Sequence, residues 1–190
     1  QWVNDPRSYM EEYAFASAFT RLNYNYQGKY YAEALIRRDG SSKFGPNNKY
    51  GNFPAASVGW IISEEDFMAN LPHVNYLKLK TSVGKNGNSA IPSYQWFGYY
   101  NVANNGYAGQ TYRYPVIREN ANLRWETSTT YDVGLEYGFF QDRISGELAW
   151  YRKETNDMLL NVTLQGSTGF GSWWDNVGSV YNTGVEFAIK

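Results

Sequence analysis

The sequence predicts an all-β chain, specifically a stretch of antiparallel transmembrane β-barrel wall, on three observations. Hydrophobic residues alternate with period two over most of its 190 residues. The connections between alternating runs are short and long in turn. Aromatics reach 18% of the chain while charged residues also stand at 18%, below the usual quarter. Composition removes other classes. The 18 Tyr, 10 Phe and 7 Trp argue against a disordered tail, and the absence of cysteine argues against a disulfide scaffold or a thiolate metal site. No apolar run approaches the roughly 18 residues that a transmembrane helix needs. A net charge of −1 leaves no basic surface for nucleic acid.

Seven strands follow in order. Residues 12–26 alternate late, with Leu22, Tyr24 and Tyr26 against Arg21, Asn23 and Asn25. After the 27–29 turn, Tyr30, Ala32, Ala34 and Ile36 oppose Tyr31, Glu33, Leu35, Arg37 and Asp39. A third run sets Ala56, Val58, Trp60 and Ile62 against Ala55, Ser57 and Gly59. From Tyr76 to Gly84, Leu77, Leu79, Thr81 and Val83 oppose Lys78, Lys80 and Ser82. The clearest run, Trp125 to Tyr137, puts Trp125, Tyr131, Val133 and Leu135 on one face and Glu126, Asp132 and Glu136 on the other. It forms a hairpin with Ile144–Arg152, where Leu148 and Trp150 oppose Glu147 and Tyr151. The last run gives Val185, Phe187 and Ile189 one face and Glu186 the other.

Short or modest links at 27–29, 63–75 and 138–143 alternate with long links at 39–53, 85–122 and 153–177. Short periplasmic turns and long extracellular loops are the pattern of an outer-membrane barrel. Tyr24, Tyr26, Tyr30, Trp60, Tyr76, Tyr137 and Phe139 gather near the short links, with Trp125 and Trp150 towards the other end, as interfacial girdles would. Glu64, Glu65 and Asp66 read as the start of a short helix in a periplasmic link. The final alternation is unfinished at Lys190, so the chain reads as a piece of a larger protein; a complete domain ending in its last strand is the plainer alternative.

The blocks Leu22-Asn23-Tyr24-Asn25-Tyr26, Ala34-Leu35-Ile36-Arg37-Arg38-Asp39-Gly40-Ser41-Ser42-Lys43-Phe44-Gly45 and Phe53-Pro54-Ala55-Ala56-Ser57-Val58-Gly59-Trp60 resemble the barrel of SusC/RagA-class TonB-dependent transporters. So do Leu77-Lys78-Leu79-Lys80-Thr81-Ser82-Val83-Gly84-Lys85-Asn86-Gly87-Asn88, Asn122-Leu123-Arg124-Trp125-Glu126-Thr127, Tyr131-Asp132-Val133-Gly134-Leu135-Glu136 and Tyr181-Asn182-Thr183-Gly184-Val185-Glu186. The resemblance implies about seven strands of a plugged, 22-stranded barrel, with the plug domain and the final strands outside residues 1–190. It implies a location in the outer membrane of a Gram-negative bacterium, in contact with its lipid. It further implies a SusD-like surface lipoprotein as lid, coupling to the TonB complex through the plug, and an oligosaccharide or peptide ligand.

Candidate site residues fall into two groups. Glu33, Arg37, Asp39, Lys78, Lys80, Glu126, Asp132, Glu136, Glu147 and Glu186 line the lumen if the apolar face meets lipid; each could equally brace a plug or solvate a wall. In the 85–122 link no charge occurs from Asn86 to Tyr112, yet Trp96, Tyr99 and Tyr100 stand there among Asn and Gly. Aromatic rings stack on sugar faces and Asn pairs with hydroxyls. Trp173 and Trp174 add a second pair in the 153–177 link. These five contact either a ligand or a lid, or pack on one another. His73, the one histidine, forms no nucleophile pair, and no enzyme activity or cofactor is expected. Asp39-Gly40 and Asn86-Gly87-Asn88 fit tight turns better than calcium ligands. Three functions are carried forward: transport of glycan or peptide oligomers, a soluble carbohydrate-binding module, and a barrel without a transport cycle. A TonB-dependent transporter for a siderophore or another ligand is a variant of the first.

Overall fold

In the computed structural model, residues 10–104, 106 and 109–190 are described. They form eleven strands: β1 (Phe15–Tyr26), β2 (Tyr30–Ser41), β3 (Tyr50–Ile61), β4 (Val74–Asn88), β5 (Tyr99–Ala103), β6 (Tyr112–Ile117), β7 (Glu126–Phe139), β8 (Ile144–Asn156), β9 (Leu159–Thr163), β10 (Ser172–Asn176) and β11 (Ser179–Ile189). One seven-stranded antiparallel sheet runs β1-β2-β3-β4-β7-β8-β11. β5–β6 and β9–β10 are separate hairpins inside the two longest links. The seven expected strands are the seven of the main sheet, and every one of its neighbours is joined by the link the chain order supplies.

Register keeps the two faces separate. Lys78 pairs with Glu136, and Glu136 with Glu147, so their side chains share a face. Leu79, Leu135 and Leu148 share the other. That apolar face stays open along its length: Leu22, Val58, Val133, Trp150, Val185 and Phe187 are all exposed. A soluble sandwich would cover such a face with a second sheet about 10 Å away; among the described residues none covers it.

The turns explain where the hairpins reverse. Within the three-residue 27–29 link, Gln27 and Gly28 both adopt left-handed backbone (φ 54° and 69°), the hand that matches strand twist, and Asn25 Oδ1 accepts from the Gly28 N–H at 3.1 Å. Between β7 and β8, Phe140, Gln141 and Asp142 are all left-handed, and the Gln141 N–H is held by Asn75 Oδ1 at 2.7 Å. The acidic triplet lies in two short 3₁₀ turns, Ile62–Glu64 and Asp66–Met68. Glu65, between them, accepts from the Tyr30 hydroxyl at 2.5 Å and the Trp60 indole at 2.9 Å.

Several expectations need correction. Strands run further than their alternation: β2 reaches Ser41, β4 reaches Asn88 and β8 reaches Asn156, leaving only 42–49 between β2 and β3. Gly and Asn in these extensions contribute backbone hydrogen bonds without an apolar side chain. β3–β4 pairing stops at Ala55–Gly84, beside Pro54, which has no N–H to give. In the turn-side girdle, Tyr26, Tyr30 and Trp60 do follow one another, with ring centroids 6.3 Å apart at each step, and Tyr137 meets Phe139 at 5.5 Å. Tyr76 does not belong to it, because its hydroxyl turns to Glu136 on the charged face. Trp125 is not on the open apolar face either: it precedes β7 and is 5% exposed, buried against Phe44 of the 42–49 loop and Phe53 at the far end of β3.

Leu135 lies amid the open face, and Leu135→Arg tests what that face meets. Against hydrocarbon the change is expected to destabilise the barrel folded in lipid vesicles by up to ~2–4 kcal/mol near the midplane. An unchanged urea midpoint would show that water, not lipid, covers the face.

Candidate functional site

The charged face is a network rather than a row of free ions. Glu136 and Glu147 are cross-strand neighbours, an arrangement that costs stability when unrelieved. Lys80 relieves it, with Nζ 2.7 Å from Glu136 Oε1 and 2.7 Å from Glu147 Oε1. Gly134 makes the crossing possible: a Cβ there would sit 2.6 Å from Lys80 Cε. Ser82 donates to Asp132 at 3.2 Å, Lys78 lies over the Tyr31 ring, and Arg21 meets Glu33 at 2.6 Å. Arg37 pairs with the buried Asp39 at 2.8 Å. Glu126 sits where wall meets loops, accepting from Asn88 Nδ2 and from the Leu159 N–H, each at 3.0 Å. Glu186 shares this face, level with Ala149 on β8. All ten expected charged positions therefore fall on one face. Arg21 and Lys153 belong with them and were legible, since each alternates in phase with its charged neighbours.

At the other end from the short turns, the loops fold on one another. Phe44, Phe53, Ile91, Leu123, Trp125 and Leu159 form the buried cluster. Trp125 is its centre, with ring centroids 5.0 Å from Phe44 and 5.4 Å from Phe53, and its indole N–H donates to the Lys49 carbonyl at 3.2 Å. The segments approach closely enough that a Cβ on Gly45 would lie 2.9 Å from the Ala121 carbonyl oxygen. Side chains then cap the backbone that has left the sheet. Asn120 Nδ2 donates to the Trp174 carbonyl and to Asp175 Oδ1. Asn176 Nδ2 donates to the carbonyls of Arg124 and Asp157. Arg124 binds Asp157 at 2.7 Å and holds its carboxyl below the ordinary aspartate value.

The five loop aromatics are placed differently from one another. Trp96 and Trp174 pack against the buried cluster, and the Trp96 indole donates to the Ser42 carbonyl at 3.2 Å. Trp173 carries the Arg118 guanidinium 4.3 Å above its ring. Tyr99 and Tyr100 stand on β5, with Tyr100 66% exposed. Tyr112 and Tyr114, on the paired β6, join them. This tyrosine hairpin was not legible as strands, because Gly and Asn blur the alternation around it. Among the described residues no group of three or more His, Cys, Asp or Glu is placed to hold a metal.

Truncating the central indole by Trp125→Ala is expected to cost the loop cluster ~3–5 kcal/mol. Limited proteolysis should then cut within 89–125 while the main sheet stays protected; unchanged resistance would deny Trp125 its central role. Asp157 supplies a pH signature. Because its folded pKa is depressed, its contribution is complete above the ordinary aspartate value and is lost as pH falls through the depressed one. Loop protection should fade on acidification, and Asp157→Asn should flatten that part of the profile. An identical acid profile in the variant would remove the Arg124 pair from the account.

Comparison with known proteins agrees with this architecture. The family model described as TonB dependent receptor-like, beta-barrel matches residues 3–190. TonB-dependent receptor P26 of Formosa agariphila is 44% identical over 94% of this chain, which covers 18% of that protein. TonB-dependent receptor SusC of Bacteroides thetaiotaomicron is 36% identical over 99% of the chain and 19% of its own length. The solved RagAB peptide transporter superposes with a TM-score of 0.83 at 34% identity, over 93% of this chain and 20% of that one. The chain thus spans about a fifth of the relatives it matches. It belongs to the TonB-dependent receptor β-barrel family, whose members are outer-membrane proteins.

Proposed function

We propose that this chain is wall and extracellular cap of a SusC-like importer carrying nutrient oligomers across the outer membrane. The carrying observation is the pairing of a one-sided apolar sheet with a folded aromatic cap at the end opposite its short turns. On this reading the open apolar face meets lipid and the charged face lines the lumen. The short turns are periplasmic and the cap faces the medium. The Lys80–Glu136–Glu147 network then serves as wall and as a polar seat for a plug, and the TonB complex acts through that plug.

The tyrosine hairpin is the part of the cap that contacts what arrives. Its rings offer stacking surfaces, and neighbouring Asn101 and Asn104 offer donors and acceptors to hydroxyls or peptide groups. Burying one large aromatic is worth ~2–3 kcal/mol, so two or three could grip an oligomer or a SusD-like lid. Glycans suit the uncharged character of 86–112 best; peptides are the second candidate, since the RagAB relative is a peptide transporter.

Uptake by cells producing the full-length transporter separates the readings. Labelled oligosaccharide or peptide should enter only while TonB is energised. Tyr99→Ala with Tyr100→Ala should lower that uptake, or lid co-purification, about tenfold or more while barrel insertion is unchanged. Trp96→Ala should instead loosen the loops. Uptake confined to a ferric siderophore, entry independent of TonB, or a double variant that imports and holds its lid normally would each defeat this assignment.

A further inference from the structure

The apolar face is uncharged along the main sheet except at one end. Its charged side chains there are Arg38, Lys85, Arg152 and Glu154, whereas charges on the opposite face occur at every depth. The three cations occupy alternate strands, β2, β4 and β8 with β3 and β7 between them. Arg38 stands eight residues from Tyr30 and Arg152 eight from Ile144, the turn-side apolar residues of β2 and β8; on β4 Lys85 stands eight from Leu77, with Val74 beyond the bulge nearer the turns still. At ~3.3 Å per residue that is about 26 Å along the strand, or about 20 Å of height at the usual barrel tilt of roughly 40°.

Register shows that they share one height. Arg152 lies level with Tyr131 and Val83, two residues nearer the turns than Lys85. Continuing the β3–β4 register past Ala55, Lys85 is in turn two residues nearer the turns than Arg38. Each step crosses two strands, about 10 Å, and descends about 7 Å, an incline of about 35°. That incline matches the strand tilt of an outer-membrane barrel, so the line through the three lies parallel to the membrane plane. The turn ends repeat the same displacement: Ile144 lies four strands across from Tyr30 and four residues below its level.

The side chains suit a membrane interface. Arg38 lies 5.0 Å from the Tyr50 ring centroid and Arg152 5.5 Å from that of Tyr181, cations stacked on aromatics at headgroup level. Two carboxylates accompany them, Glu154 bound to Arg152 and Asp157 bound to Arg124, leaving the rim net positive. The long-loop end of a barrel meets the outer leaflet, which in Gram-negative bacteria is built from phosphorylated glycolipid.

We propose that Arg38, Lys85 and Arg152 form an outward cationic belt that binds the phosphate groups of outer-leaflet lipopolysaccharide. This rests on the lipid-facing assignment of the apolar face and is independent of what the transporter carries. The test is lipid retention by the full-length transporter purified from outer membranes in mild detergent. Wild-type protein should retain phosphorylated glycolipid, and the R38A/K85A/R152A variant at least fivefold less, while K78A on the opposite face retains the wild-type amount. Lipid A added in excess should displace the retained glycolipid from wild-type protein; dephosphorylated lipid A and phosphatidylglycerol should not. Equal retention by the triple variant, or equal displacement by either competitor, overturns the proposal. The competition needs no variant, so it decides the question even where the triple variant fails to insert.

Discussion

The structure depends on keeping every backbone N–H and C=O paired where no water can reach it. A sheet that crosses hydrocarbon must be continuous, because an unpaired edge or irregular loop there costs several kcal/mol for each orphaned group. The strand-to-strand pairing from β1 to β11 answers this demand, parting only where β3 and β4 separate beyond Ala55–Gly84, and period-two alternation follows from it. Once strands are paired side by side, each residue is committed to one of two solvents. The pairing Leu79–Leu135–Leu148 and the neighbouring Lys78–Glu136–Glu147 show that commitment holding across three strands without a slip.

Beyond the sheet the same demand is met by different groups. The loops use Asn120, Asn176 and the indoles of Trp96 and Trp125 to satisfy carbonyls that no strand reaches. Carboxamides suit this task because one side chain can serve two segments, as Asn176 does for Arg124 and Asp157. The Phe44–Phe53–Trp125 cluster supplies the apolar burial that a one-sheet wall otherwise lacks. The cap is thus a small globular core mounted on the end of a wall, and it fixes where the exposed tyrosine hairpin starts.

What the sequence disclosed followed from this division. The wall was legible because hydrocarbon on one side and polar surroundings on the other write a strict alternation, and the seven strands and their faces follow from it. The strand ends were less so, since Gly84, Asn86 and Asn88 pair through backbone alone. Trp125 continues the alternation of β7 by one more residue, so periodicity assigns it to the open face; only its tertiary contacts to Phe44 and Phe53 reveal a core where the loops meet the end of β3. Tyr76 misleads in the opposite way, because composition groups it with the girdle while its phase, shared with Lys78, gives the charged face. The hairpins β5–β6 and β9–β10 are five or six residues per strand, too short for periodicity to stand out among Gly and Asn.

The distribution of charge carries the last step. The same residue types occur on both faces, so composition does not separate them; depth does. On one face Lys80 and Glu136 sit midway along their strands, where one ammonium bridges the carboxylates of Glu136 and Glu147. On the other the first charge is delayed until the strand has climbed at least eight residues from its turn-side apolar residue, eight on β2 and β8 and more on β4. A soluble sheet has no reason to hold that distance constant across strands of different register. A slab of fixed thickness crossed by tilted strands does, because each strand must travel the same length before its side chains regain water. The eight-residue interval shared by β2 and β8 is what an apolar layer of fixed thickness requires, and it is obtained independently of the loop lengths.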